Sequence, residues 1–169
     1  MEHKKRKFAK IYDHNVEKIY RFIYLKIGSV ETAEDLAAQV FAKSWKQFKS
    51  GKEIKNTSAY LFQVARAEIA DYYRKGSRYK IISTQAVEVT DEAPTPEQEQ
   101  KIKSDIEEMQ DVLNELKEEH QDVLILRYID DYSVEEIALM MNKSENAVRV
   151  MLHRALKELR EKMEKPVIN

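Results

Sequence analysis

The side chains best suited to recognition chemistry lie near the C-terminal end of the chain. Asn146, Arg149, Val150, His153 and Arg154 recur at spacings that place them on one helix face. An arginine on such a face can hold guanine through two parallel hydrogen bonds, which requires a guanidinium and not merely a positive charge. Bond-making chemistry has no comparable signal. His3, His14, His120 and His153 share no metal-ligand spacing, cysteine is absent, and neither HExxH nor GxxxxGK[ST] occurs. The expectation is therefore no catalytic residue, no metal and no cofactor. A charged helix face by itself is most often a solvated surface, so the elements before it decide the reading.

Those elements form a capped, closely spaced pair of helices. Ser133 and Glu136 make a capping box that opens a short helix, SVEEIALMM, with Val134, Ile137, Ala138 and Met141 directed inward. Asn142 and Lys143 break it, and Ser144 is a good N-cap for the next helix. That second helix carries Ala147, Val148, Met151, Leu152, Ala155, Leu156 and Leu159 as its inward face. A short helix, a three-residue turn and a longer helix that is polar and cationic near its start is a helix-turn-helix. Its second helix enters the DNA major groove. Lys143, Ser144, Asn146, Arg149, Val150, His153 and Arg154 are the candidate contacts.

A second cluster lies in the N-terminal half. Phe41, Lys43, Trp45, Lys46, Phe48, Lys49, Lys52 and Lys55 interleave rings with cations, and Tyr72, Tyr73, Arg74, Lys75, Arg78, Tyr79 and Lys80 do so again. Cations screen phosphates and flat rings stack on unpaired bases, a combination suited to single-stranded or melting DNA. Phe41 and Trp45 fall on an apolar face and read as core, whereas Lys52, Lys55 and Asn56 sit in a polar segment with no core to serve. Three helices are expected here. Phe8 to Ile23 keep a helical period up to Gly28. Thr32 with Asp35 resembles a capping box for a second helix stopped at Gly51. Leu61, Ala65, Ile69 and Tyr72 mark a third, whose opposite stripe is Gln63, Arg66, Ala67, Ala70 and Arg74.

The 169 residues carry a net charge of −1, which taken globally argues against a polyanion binder. Taken by segment, residues 41–82 are +7, residues 143–165 are +3 and residues 83–122 are −10. The balance is a cancellation between two basic blocks and an acidic connector. Residues 83–100 lose periodicity and hold Pro94 and Pro96 but no basic residue. The expected organisation is all-α: a helical domain over 1–82, a flexible acidic linker over 83–104 and a helix-turn-helix domain over 105–169. Only three glycines and three prolines exclude a collagen-like or Gly/Pro-rich chain. No apolar run approaches the ~20 residues a membrane span needs. MEHKKRKF has no apolar stretch behind it, so a cytoplasmic protein without membrane insertion is expected.

Two separated motifs resemble one family. AEDLAAQVFAKSW (33–45) and YLFQVARAEIADYYRK (60–75) look like region 2 of bacterial sigma factors, and HQDVLILRYIDDYSVEEIALMMNKSENAVRVMLHRALKELRE (120–161) looks like region 4. The order, the separation and the two-domain layout resemble the extracytoplasmic-function (ECF) group of the sigma-70 family. The resemblance implies a transcription initiation factor with core RNA polymerase and promoter DNA as partners, and with an anti-sigma factor expected. It places Asp35, Leu36, Gln39 and Val40 where such factors grip the β′ coiled coil, and Leu124, Ile125 and Tyr128 where they dock on the β-flap. It places Lys52, Lys55, Asn56 and Ser58 at a flipped base of the −10 element. Tyr60, Gln63, Arg66, Arg74 and Lys75 would then hold that strand, and the helix-turn-helix face would read the −35 element. The chain departs from the family pattern at Ala38 and Gln39, where a Gln-Glu pair is frequent, and at Ala67, where Asn is frequent. The alternatives are a stand-alone helix-turn-helix regulator with a helical sensing or dimerisation domain, which has no use for the AEDL motif, and a DNA-acting enzyme, which lacks site residues.

Overall fold

The computed structural model describes residues 1–76, 97, 108 and 110–164. The expected linker over 83–104 lies outside the described residues except for Glu97, and so do Arg78, Tyr79, Lys80, Ile102, Ile106 and Met109. The described residues are helices and connecting turns, with no strand among them. The chain divides into two compact units, residues 1–82 with 138–143, and residues 83–137 with 144–169.

Three helices build the N-terminal part of the first unit: α1 (Glu2–Ile27), α2 (Val30–Lys49) and α3 (Thr57–Gly76). Helix α1 ends where expected. Gly28 takes the left-handed conformation (φ 83°), and its N–H bonds the Tyr24 carbonyl at 2.8 Å, closing an end that a residue with a Cβ would strain. The start of α2 differs from expectation. Ser29, not Thr32, is the N-cap: its backbone is extended and its Oγ accepts from the Thr32 N–H at 3.3 Å. The helix thus begins earlier, and Asp35 stands in its second turn, beyond the N-terminal amide groups that a cap serves. Ala33, Leu36, Ala37, Val40, Phe41 and Ser44 are buried along α2, stepping by three and four. Its other end stops before Gly51, which has φ 90°.

The core between these helices is aromatic and aliphatic. Phe22 of α1 and Phe62 of α3 meet edge to face with centroids 5.0 Å apart, beside Ile23, Val40, Leu61 and Ala65. Phe8, Trp45 and Phe48 form a second ring cluster with centroids 5.2–6.3 Å apart. Two of the polar groups inside bond to the preceding turn of their own helix. The Ser44 Oγ donates to the Val40 carbonyl at 2.6 Å, and the Asn15 Nδ2 donates to the Ile11 carbonyl at 2.8 Å.

The C-terminal helices are α4 (Glu118–Leu124), continuing as one π turn (Ile125–Ile129), α5 (Val134–Met141) and α6 (Glu145–Glu164). Val123, Leu124, Ile125 and Leu126 are all buried. Four consecutive buried residues cannot share one helix face, so this segment is enclosed on several sides. The π turn is closed by the Asp130 N–H on the Ile125 carbonyl at 2.9 Å. The start of α4 is fastened to α6 far along the chain. Glu158 accepts from the Lys117 N–H at 2.8 Å and bonds His120 Nδ1 at 3.0 Å. Burial works to raise the Glu158 pKa, but these bonds outweigh it and hold the carboxyl below its ordinary value.

The capping box of α5 forms in full. The Glu136 N–H donates to Ser133 Oγ at 3.1 Å and the Ser133 N–H to Glu136 Oε1 at 3.0 Å. Ser133→Ala removes one of these reciprocal bonds. It is expected to cost about 1 kcal/mol, read as a lower urea midpoint with an unchanged slope; an unchanged midpoint would show the box to be energetically idle.

Candidate nucleic-acid interface

The helix-turn-helix is assembled by its turn. Asn142 adopts a left-handed conformation (φ 56°) and the Lys143 N–H reaches back to the Ala138 carbonyl at 2.9 Å, ending α5. Ser144 then starts α6, its Oγ accepting from the Ala147 N–H at 3.0 Å. Three residues, 142–144, therefore separate the two helices. Helix α6 buries Val148, Met151 and Ala155. On the opposite side Asn146, Arg149, Val150, His153 and Arg154 are all exposed, as the spacing implies.

One expected residue on this motif is placed differently, and two candidate contacts are partly engaged by the fold. Ala147 was expected inward and is exposed, because Val148 and Met151 take the inward direction and turn position 147 to the outer flank. Ser144 spends its hydroxyl on the cap, as expected, and so positions the helix. Lys143 is half-buried. Arg149 lies 3.6 Å from Glu145, one turn earlier, with both side chains more than half exposed. Such a pair is weak in water and leaves the guanidinium able to swing to another acceptor.

The N-terminal surface sorts its candidates in the same way. Lys52 and Lys55 project from the 50–56 loop and are exposed. Asn56 is the cap of α3, its Oδ1 accepting from the Ala59 N–H at 3.0 Å. Ser58 is half-buried and donates to Asn15 Oδ1 at 3.0 Å, tying α3 to α1. Tyr60 is half-buried; Gln63, Ala67, Ala70, Arg74 and Lys75 form the exposed stripe on α3. Arg66 is not fully part of that stripe: it is half-buried, with its guanidinium carbon 5.8 Å from the centre of the Phe62 ring. Asp71 pairs with Arg74 at 2.9 Å and Lys75 at 3.1 Å, and these cations, Lys75 foremost, hold its carboxyl below the ordinary range. Lys43 is drawn from the cationic surface into an ion pair with the buried Glu68 carboxylate, whose hydrogen bond raises the lysine pKa.

The expected polymerase contacts divide by burial. Asp35 and Gln39 stand one helical turn apart on α2 and are exposed. Leu36 and Val40 are core residues, 6% and 0% exposed, and leave the surface of this turn to Asp35 and Gln39. Leu124 and Ile125 are likewise buried, at 5% and 1%, whereas Tyr128 is 57% exposed. The reason is common to both places: an apolar residue beside a contact position on a helix serves the core. Sequence reasoning also missed the Lys117–His120–Glu158 fastening and the Lys43–Glu68 pair. Their partners lie 25 to 41 residues apart and no local pattern announces them.

Among the described residues no group of His, Asp or Glu could hold a metal ion, and no helix is long and apolar enough to cross a membrane. What the surface offers is a polar, cationic helix face on α6 and a stripe on α3 that ends in Arg74 and Lys75. Comparison with known proteins matches this layout. Residues 11–79 match the family described as Sigma-70 region 2, and residues 106–159 match that described as Sigma-70, region 4. The chain is 27% identical to the ECF RNA polymerase sigma factor BldN of Streptomyces coelicolor, covering 90% of this chain and 58% of that protein. It is 29% identical to the RNA polymerase sigma factor YlaC of Bacillus subtilis, covering 92% of this chain and 91% of YlaC. Identity to the ECF factor SigX of the same organism is 26%, over 93% and 84% of the two chains. Two solved structures share the fold. CnrH, determined with the cytosolic domain of CnrY, has a TM-score of 0.70 at 17% identity, covering 95% of this chain and 89% of CnrH. RpoE of Bartonella quintana, determined with the anti-sigma factor NepR, has a TM-score of 0.66 at 20% identity, covering 95% and 98%.

Proposed function

The chain belongs to the ECF group of the sigma-70 family, and from that premise we propose how its two units share the work of starting transcription. It is a transcription initiation factor that brings core RNA polymerase to promoters. Recognition of the −35 element falls to α6, whose Asn146, Arg149, Val150, His153 and Arg154 face outward where α5 and the 142–144 turn present them. The exposed stripe of α3 and the Lys52–Lys55 loop take the −10 strand. Their lysines and arginines meet phosphates, and the small Ala67 and Ala70 let a strand lie close. Asn56 and Ser58 act indirectly, by setting the start of α3 and so the loop before it. Asp35 and Gln39 form the contact to the β′ coiled coil, and Tyr128 is the exposed ring for the β-flap.

The observation that carries this reading is the complete helix-turn-helix, capped at both helix starts and cationic on its outer face, in a chain that also matches region 2. A stand-alone regulator leaves that second match without a purpose. The factor performs no reaction itself: polymerase makes the RNA, in the cytoplasm. An anti-sigma factor is a partner on the analogy of RpoE, whose structure was determined with NepR.

The test is reconstitution. Full-length protein added to core polymerase should yield transcripts starting at defined promoters. Core alone should not, and equal transcription without the protein would reject the function.

A further inference from the structure

Resting on the reading of α6 as the helix that enters the major groove, we propose that Val150, with Ala147 beside it, reads the 5-methyl group of thymine within the −35 element. Val150 is 42% exposed in the middle of an otherwise polar face. Asn146 and Arg154 lie one turn to either side of it, and Arg149 and His153 flank it. Ala147, three residues earlier, is exposed as well, so two apolar side chains form a short strip through the cationic surface.

Nothing within the helix accounts for that strip. Valine is a poorer helix former than the lysine or glutamate common on solvated faces, because its branched Cβ loses rotamer freedom against the preceding turn. The residues at i±3 and i±4 are Ala147, Asn146, His153 and Arg154, none of them a large apolar partner. The inward residues are Val148, Met151 and Ala155, on the other side of α6.

The same stiffness that makes valine costly in a helix suits it for recognition. Its two methyl groups are held in one rotamer, ready to cover a small apolar target without ordering a flexible chain. In the major groove the only such target on a base edge is the thymine 5-methyl group. Ala147 and Val150 are separated by about 4.5 Å along the helix axis, near the ~3.4 Å between successive base pairs. The strip therefore fits one or two adjacent thymines, next to the position an arginine would assign to guanine.

The test removes single methyl groups. The −35 element is first selected by the holoenzyme from random duplexes, and each thymine in it is then replaced in turn by deoxyuridine, which lacks only the 5-methyl. Holoenzyme with the natural protein should lose about three- to fivefold in affinity at one or two of these positions, the effect of uncovering one methyl. Holoenzyme with Val150→Ala should bind the thymine and deoxyuridine duplexes equally at the position Val150 covers. Alanine is the better helix former, so the variant keeps its fold, and circular dichroism checks this. An unchanged deoxyuridine penalty in Val150→Ala, or no penalty at any thymine with the natural protein, overturns the proposal while −35 recognition stands. Failure of the holoenzyme to distinguish the element from a scrambled duplex overturns both.

Discussion

Asp35→Arg should weaken the binding of the full chain to core polymerase by more than about tenfold, because it reverses the charge at the proposed contact, and an acidic side chain there implies a basic partner surface that the arginine would repel. Asp35 is exposed, and Gln39 one turn later extends the same surface. With Ser29 as the true N-cap, Asp35 has no capping duty, and among the described residues it has no hydrogen-bonding or ionic partner. Its replacement therefore removes no hydrogen bond or ion pair among the described residues, and arginine is a good helix former. The variant should unfold at the same denaturant concentration as the natural chain while failing to co-purify with core. Undiminished co-purification would remove Asp35 from the polymerase contact. A fall in stability matching the loss of binding would reassign it to the fold.

The contrast between Asp35 and its neighbours shows where sequence reasoning reached and where it stopped. Helical period, the Gly28 stop and the Ser133–Glu136 box depend on residues within four positions of one another, so pattern alone located them. The outward face of α6 was legible for the same reason. Leu36 and Val40 fall on the apolar three-and-four step of α2 and were legible as its inward face; the resemblance alone set them beside Asp35 and Gln39 as contacts, and their burial separates the two pairs. Ala147 was not legible. Alanine is small enough to suit either environment, so its type says little, and the packing of Val148 and Met151 decides its side. Polar residues also carry local duties that no pattern announced: Asn56 caps α3 and Ser58 ties it to Asn15. The net charge of −1 misled in the global reading because it sums over parts with separate tasks.

Arg149→Ala should cost on the order of 1–3 kcal/mol at a single position of the −35 element and little elsewhere. Its side chain is 61% exposed, so truncation leaves no cavity. What it gives up internally is the 3.6 Å pair with Glu145, and an exposed pair one turn apart contributes no more than about 0.5 kcal/mol. The variant should therefore fold normally, and its defect should appear on DNA alone. Two parallel hydrogen bonds from one guanidinium to one guanine discriminate against every other base at that site, so the natural holoenzyme should prefer guanine there and the variant should accept all four bases about equally. A phosphate contact behaves differently: its loss weakens all sequences alike and reduces the steepness of the salt dependence by about one ion. Affinities of both proteins for a set of duplexes varied one base pair at a time, at two salt concentrations, separate these outcomes. A uniform loss with a shallower salt slope would make Arg149 a backbone anchor and move the guanine contact to Arg154, the other arginine exposed on this face of α6.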